Sequence, residues 1–238
     1  MIIAKLRHNP YLKWLKFFLK KNVFIEFRFY LIPKFLKDPN CKILDIGCGN
    51  YSLQRAKLQY PKSKYYGLDL QRRFYSLKEI RMMEKFFEID LNTLDYSEIP
   101  YNFFDIIILS HVLEHLPEGR KVLIQLISKL KKNGLIYIEY PSIRSTKLPH
   151  RKGTLNFFDD PSHISLYSNE EFRFILMRSG FKILKEGIRR DFRKIIFLPF
   201  LIIYDLFKYR LIKTGHLWDL FGFADYLIAV KLVPSHVK

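Results

Sequence analysis

The chain has 238 residues, 49% of them hydrophobic and 27% charged, which is enough apolar material for a well-packed core and excludes disordered, collagen-like and coiled-coil classes. Its 41 Lys and Arg against 23 Asp and Glu leave a net charge of +18, a field that attracts phosphates, anionic lipids or acidic partners without choosing among them. The two cysteines, Cys41 and Cys48, have neither zinc spacing nor a disulfide framework around them, so a reducing, cytoplasmic setting is expected and no ligand cluster calls for a metal ion.

The charge is uneven along the chain. Residues 1–37 carry +8, residues 38–184 carry +5, residues 185–213 carry +5 and the last stretch is neutral. In the first segment Leu12, Leu15, Phe18 and Leu19 share one helical face while lysines cover the other. That pattern suits a cap helix over the domain's own pocket, or a helix lying on an anionic membrane surface. Lys13, Lys16, Lys20 and Lys21 interrupt every apolar run there, so a secretory signal is not expected. We expect residues 1–37 to be a basic amphipathic cap and 38–238 to be the main domain.

Between residues 42 and 140, short apolar runs alternate with helical patterns, the signature of a parallel sheet with crossover helices. Strands are expected at Lys42 to Gly47, Lys64 to Leu70, Phe86 to Asp90, Phe104 to Ser110 and Leu135 to Tyr140. A helix is expected from Glu118 to Lys131, ended by Asn133-Gly134. After Pro141 comes a loop of about 25 residues, then a helix capped by Ser168 and stopped by Gly180. Two more strands follow, Phe181 to Ile188 and Asp225 to Val233, separated by a basic, apolar insertion at 190–222 that should form one or two helices. Its longest apolar stretch, Ile195 to Tyr204, is about half of a bilayer crossing.

The sharpest motif is Ile43-Leu44-Asp45-Ile46-Gly47-Cys48-Gly49-Asn50, a buried strand running into a Gly-x-Gly turn. Glycines there let backbone approach a ligand closely. A dinucleotide fingerprint would continue to a third glycine three residues on, where Asn50, Tyr51 and Ser52 stand instead. The stretch resembles the first motif of the class I S-adenosylmethionine-dependent methyltransferases, hhD/E-h-G-x-G-x-G, with Tyr51 in place of the last glycine. Further elements are similar at the same intervals: Asp69 at the end of the second strand, Asp90-Leu91 at the end of the third, Phe104 to Pro117 with its LEHL element, and Leu130 to Ser142.

That resemblance implies a Rossmann-like, mostly parallel seven-stranded α/β sheet whose last strand is antiparallel, with N-terminal helices and a helical insertion before that strand. It implies S-adenosylmethionine as cofactor, bound by Asp45, Gly47, Cys48, Gly49 and Asn50 at the turn. Asp69 with Leu70 would sit at the ribose, Asp90 with Leu91 at the adenine, and Ser110 at the end of strand four. A D-P-x-H-x-x-x-[FY]-[ST] element of related small-molecule enzymes, including the ubiquinone-biosynthesis-like group, is matched by Asp160, Pro161, His163, Tyr167 and Ser168. His163 is the candidate base for a hydroxyl nucleophile or else a fixer of the lid loop, and His115 and Glu114 are candidate positioning groups.

The expected reaction is methyl transfer to a small or lipid-linked acceptor, most simply at a hydroxyl. RNA or protein methylation through the basic segments, or a non-catalytic cofactor-binding module, are the alternatives. Amino-directed nucleic-acid enzymes carry (N/D)-P-P-(Y/F) after strand four, where this chain reads Ser110-His111-Val112-Leu113. Pyrimidine C5 chemistry needs a loop cysteine that is missing here.

Overall fold

The apolar run at the start of the domain forms β1 (Lys42–Ile46), and six more strands assemble around it. They are β2 (Lys64–Asp69), β3 (Lys85–Glu88), β4 (Phe104–Ser110), β5 (Leu130–Pro141), β6 (Phe181–Ile188) and β7 (Ala224–Lys231). The computed structural model describes residues 25–49, 51–72 and 76–233; Asn50 and the amphipathic stretch expected at 11–21 lie outside the described residues.

The strand order is β3-β2-β1-β4-β5-β7-β6. The first five strands pair in parallel, and β7 is antiparallel to both β5 and β6. The order reverses direction between β1 and β4, which opens a crevice beyond their C-terminal ends, where ligands bind in open α/β folds. Both faces of the sheet are buried, which explains why its strands read as nearly continuous apolar runs. Leu44, Ile46, Ile107 and Ile138 face α4 (Gly119–Leu126) and α5 (Asn169–Arg178) on one side. On the other, Ile43, Ile106, Ile108 and Tyr137 meet α1 (Phe27–Leu31) and α2 (Ser52–Gln59).

Several boundaries differ from the sequence reading, the last strand among them, which runs Ala224–Lys231. α4 stops at Leu126, a 3-10 turn follows, and Leu130 already pairs with Phe104 in the sheet. The early stop is fixed by Lys129, whose buried ammonium donates to the carbonyls of Tyr96 and Ile99 at 2.9 and 2.8 Å. Asn133, at φ +60°, therefore sits within β5 and does not end a helix. β3 stops at Glu88, so Asp90 falls in the turn after it. A short helix, α3 (Leu77–Arg81), precedes that strand, its Ser76 hydroxyl accepting from the Glu79 N–H.

The insertion at 190–222 contains α6 (Phe192–Tyr209) and α7 (Trp218–Phe221). α6 tucks Leu198 and Asp205 inward and leaves Phe192, Ile196, Phe200 and Phe207 between 67% and 82% exposed. Among the described residues no helix is long and apolar enough to cross a membrane.

Candidate functional site

A cleft of about 300 Å³ lies over the C-terminal ends of β1, β2 and β4, bordered by Gly47, Asp69, Leu70, Leu91, His111, Val112 and His115. Its floor is the β1–α2 turn. Gly47 has φ +59°, and a Cβ built there would lie 2.5 Å from Val112 Cγ2, so both the backbone conformation and the space require glycine. Gly49 also has a positive φ, +61°. Tyr51, which stands where the motif has its third glycine, takes the same left-handed conformation at φ 69°, with its ring mostly exposed. The turn is therefore kept without the glycine, at a cost of roughly 1–2 kcal/mol.

Of the expected cofactor residues, Gly47, Asp69, Leu70 and Leu91 border this cleft. Asp69 ends β2 and accepts the Leu70 N–H at 2.7 Å. Asp90 instead caps the 3-10 turn that follows, accepting the Asn92 N–H at 2.9 Å. Cys48 is buried, its sulfur near Gly67. Asp45 is not among the residues bordering the cleft. It is fully buried and accepts from the Ser52 hydroxyl and, at 2.7 Å, from Tyr65 Oη. Burial raises its carboxyl above the usual range, against the pull of the nearby Arg28 guanidinium. The side chain thus ties the turn to the strand interior through hydroxyls.

Ser110 borders a second cavity of about 240 Å³, together with Glu26, Arg28, His111, Glu139, Arg189, Lys194 and Trp218. Its centre is His111, which sequence reasoning passed over. Nδ1 of His111 is 3.0 Å from Glu114 Oε1 and Nε2 is 3.1 Å from Glu139 Oε1. A carboxylate at each ring nitrogen selects the imidazolium, in which both nitrogens donate. Burial pulls its pKa down, but the Glu114 and Glu139 contacts outweigh that and lift it to about 9. Glu139 is held well below the ordinary carboxylate range: burial would raise it, and Arg189 and His111 overcome that. Arg189 bridges Glu139 at 2.9 Å and Asp219 at 2.9 and 3.1 Å. Its guanidinium also lies 5.5 Å from the Trp218 ring. The signal that could have found this cluster is Glu139 itself, a lone carboxylate inside the apolar run of β5.

The imidazolium has a consequence for stability. Because His111 is raised from 6.5 to about 9, its stabilising contribution is complete below pH 6.5 and is lost as pH rises through about 9. Chemical denaturation should show the wild type losing stability between these two values, while His111→Gln loses much less. Equal losses in the two proteins would contradict the assignment.

His115, Glu114 and His163 come together although the histidines are 48 positions apart. The two rings are 4.8 Å apart between centroids, and one ligand atom from each of the three residues lies within 4.8 Å of the others, a spacing a divalent cation could span. His163 Nδ1 is 2.7 Å from the Phe157 carbonyl, so it carries the hydrogen and ties down the loop at 142–167. Ser162 Oγ donates to Asp160 at 2.5 Å and stands 2.9 Å from His115 Nδ1, which therefore donates to it. Nε2 of His163 faces the Asp160 carboxylate at 3.8 Å. His115 borders the first cleft, and His163 stands behind it.

A sheet whose strand order reverses beside a glycine turn, with a carboxylate closing the next strand, is the open α/β arrangement that takes a ligand at its switch point. The methyltransferase-domain family profile matches residues 9–186, well over half of the chain, and the protein belongs to this family of S-adenosylmethionine-dependent enzymes. A methyltransferase from Archaeoglobus fulgidus superposes with a TM-score of 0.58 at 21% identity, over 92% of this chain and 99% of its own. One from Aquifex aeolicus gives 0.55 at 16% identity, over 96% of each chain. The [4+2]-cyclase SpnF shares the fold at 18% identity and a TM-score of 0.54, over 86% of this chain and 80% of its own. By sequence, an uncharacterized protein of Methanocaldococcus jannaschii is 29% identical over 99 residues, 40% of this chain; the match spans only 27% of that protein's length.

Proposed function

We propose that the protein transfers the methyl group of S-adenosylmethionine to a hydroxyl of a small or lipid-linked acceptor seated in the cavity beside the cofactor cleft. The observation that carries this reading is the shared wall: His111 borders both spaces. A volume of about 240 Å³, that of about eight waters, suits one ring with its substituents better than a nucleic-acid stem or a folded protein. The exposed apolar face of α6, flanked by Lys208, Arg210 and Lys213, supports an acceptor drawn from a lipid interface.

In this reading Asp69 holds the ribose hydroxyls and the Gly47 turn admits the methionine end of the cofactor. The cofactor supplies an activated methyl group on a sulfonium. With the donor held in the cleft, His115, which borders that cleft, would take the hydroxyl proton at Nε2 from an acceptor whose nucleophile reaches past His111. His111, already an imidazolium, is unsuited to take that proton and positions the two bound molecules instead. The protein's main contribution is alignment, worth about 7–11 kcal/mol for a well-held pair. Glu114 and His163 are positioning residues that fix the His115 ring and the loop around it.

Uptake of labelled methyl from the donor into metabolite and lipid extracts tests the reading and identifies the acceptor. His115→Ala should then lower turnover by about 10²–10⁴-fold with cofactor affinity within about threefold of wild type. His163→Ala should raise hydrogen exchange across 142–167 and lower turnover less. Unchanged turnover in His115→Ala would remove it from the reaction. Steeply salt-dependent RNA binding that needs residues 1–37 would favour the RNA reading instead.

A further inference from the structure

Arg28, Arg189, Lys194 and the imidazolium of His111 line the second cavity against two carboxylates, Glu26 and Glu139. Glu26 is occupied by Arg28 at 2.7 Å and by Arg55. Glu139 is shared between His111 and Arg189, with Asp219 on the far side of Arg189 and Glu114 on the far side of His111. Asp191, at the start of α6, is taken by Arg193 at 2.5 Å. Lys194, in the first turn of α6, is left over. It borders the cavity, and among the described residues no hydrogen bond or ion pair reaches its ammonium. Burial and the neighbouring Arg189 weaken its hold on the proton more than the nearby Asp219, Asp191 and Glu26 strengthen it. On the same cavity, the Nε of Arg28 is buried and also lacks a partner.

Unanswered cationic donors in a partly desolvated wall cost folding stability unless a ligand completes them. Phe27 and Trp218 provide apolar walls alongside, so the cavity combines a flat apolar slot with an anion-seeking end. We propose that the acceptor carries an anionic group, a carboxylate or a phosphate, which docks between Lys194 and Arg28 while its nucleophile points past His111 toward the cofactor. This deepens the methyl-transfer reading above and rests on it. The anionic end anchors the acceptor, and no bond to it forms or breaks.

The test uses the full chain saturated with S-adenosylhomocysteine, titrated by calorimetry with sodium 3-hydroxybenzoate, inorganic phosphate and the neutral 3-hydroxybenzyl alcohol. At least one anion should bind with a Kd of about 1 mM or tighter, and the alcohol should bind at least about tenfold more weakly. Lys194→Met should weaken the anion about tenfold or more, and Lys194→Arg should restore it to within about threefold. Whichever anion binds shows whether the group is a carboxylate or a phosphate. Absence of binding by both anions, or binding undiminished in Lys194→Met, overturns the proposal. S-adenosylhomocysteine is titrated first in every variant, so a failure of the cofactor site is recorded separately from a failure of the anion site.

Discussion

Arg189→Met should destabilise the protein by about 3–5 kcal/mol, because it leaves Glu139 and Asp219 as buried carboxylates without their shared partner. Arg189 makes three hydrogen bonds of 2.9–3.1 Å to them, and all three residues are buried. For a chain of this size the loss corresponds to a fall in Tm of roughly 6–20 °C. The effect should exceed that of an exposed pair such as Lys121–Glu118, which is worth well under about 1 kcal/mol. The double variant Arg189→Met with Glu139→Gln should recover part of the loss, since one of the two stranded charges is removed. Thermal melts of the three variants check this. A drop of only a degree or two for Arg189→Met would mean that the cluster is solvated and does not brace β5 against the insertion.

Gly47→Ala should abolish measurable cofactor binding while leaving most of the fold in place. The added methyl would meet Val112 Cγ2 at 2.5 Å, and φ +59° is strained for any residue with a Cβ. Val112 starts the loop that carries Glu114 and His115, so relieving the clash displaces the wall of the cleft. We expect an affinity loss of about 100-fold or more, equivalent to roughly 3 kcal/mol. The folded state should lose about 1–3 kcal/mol. Gly180→Ala is the control: its φ is +80° but nothing lies within 4 Å of the added methyl, so it should lose some stability and no cofactor affinity. Binding by Gly47→Ala that equals the control would remove the turn from the site.

How far the sequence carried the account depends on what each feature needs. The strands were legible because β1, β4 and β5 are buried on both faces and must be apolar throughout. The Gly47 turn and the place of Asp69 at the end of β2 were legible because a tight turn and a strand-end carboxylate leave a local pattern. Asp90 was harder: an aspartate after a strand serves a ligand or a helical cap equally well, and here its side chain caps the next turn. Asp45 likewise satisfies hydroxyls from α2 and β2, partners that appear only once the strands are paired. The cluster of His111, Glu139 and Arg189 is assembled from β4, β5 and the end of β6, so no spacing in the chain announces it. The trio of Glu114, His115 and His163 joins two motifs noticed separately, and only the path of the loop at 142–167 shows that they meet.

The same geometry changes the meaning of the charge. Much of the excess of basic residues lies in the two apolar segments around the core, and in the second of these Arg189 and Lys194 reach the cavity wall. Those side chains shape a pocket, while Lys208, Arg210 and Lys213 remain at the surface end of the insertion.

Calorimetric titration with S-adenosylhomocysteine tests the central claim most directly. The account predicts one site per chain and an affinity that falls about 10–150-fold in Asp69→Ala, the worth of charge-assisted hydrogen bonds to the ribose. No heat of binding by the wild type, or an affinity unchanged in Asp69→Ala, would contradict it.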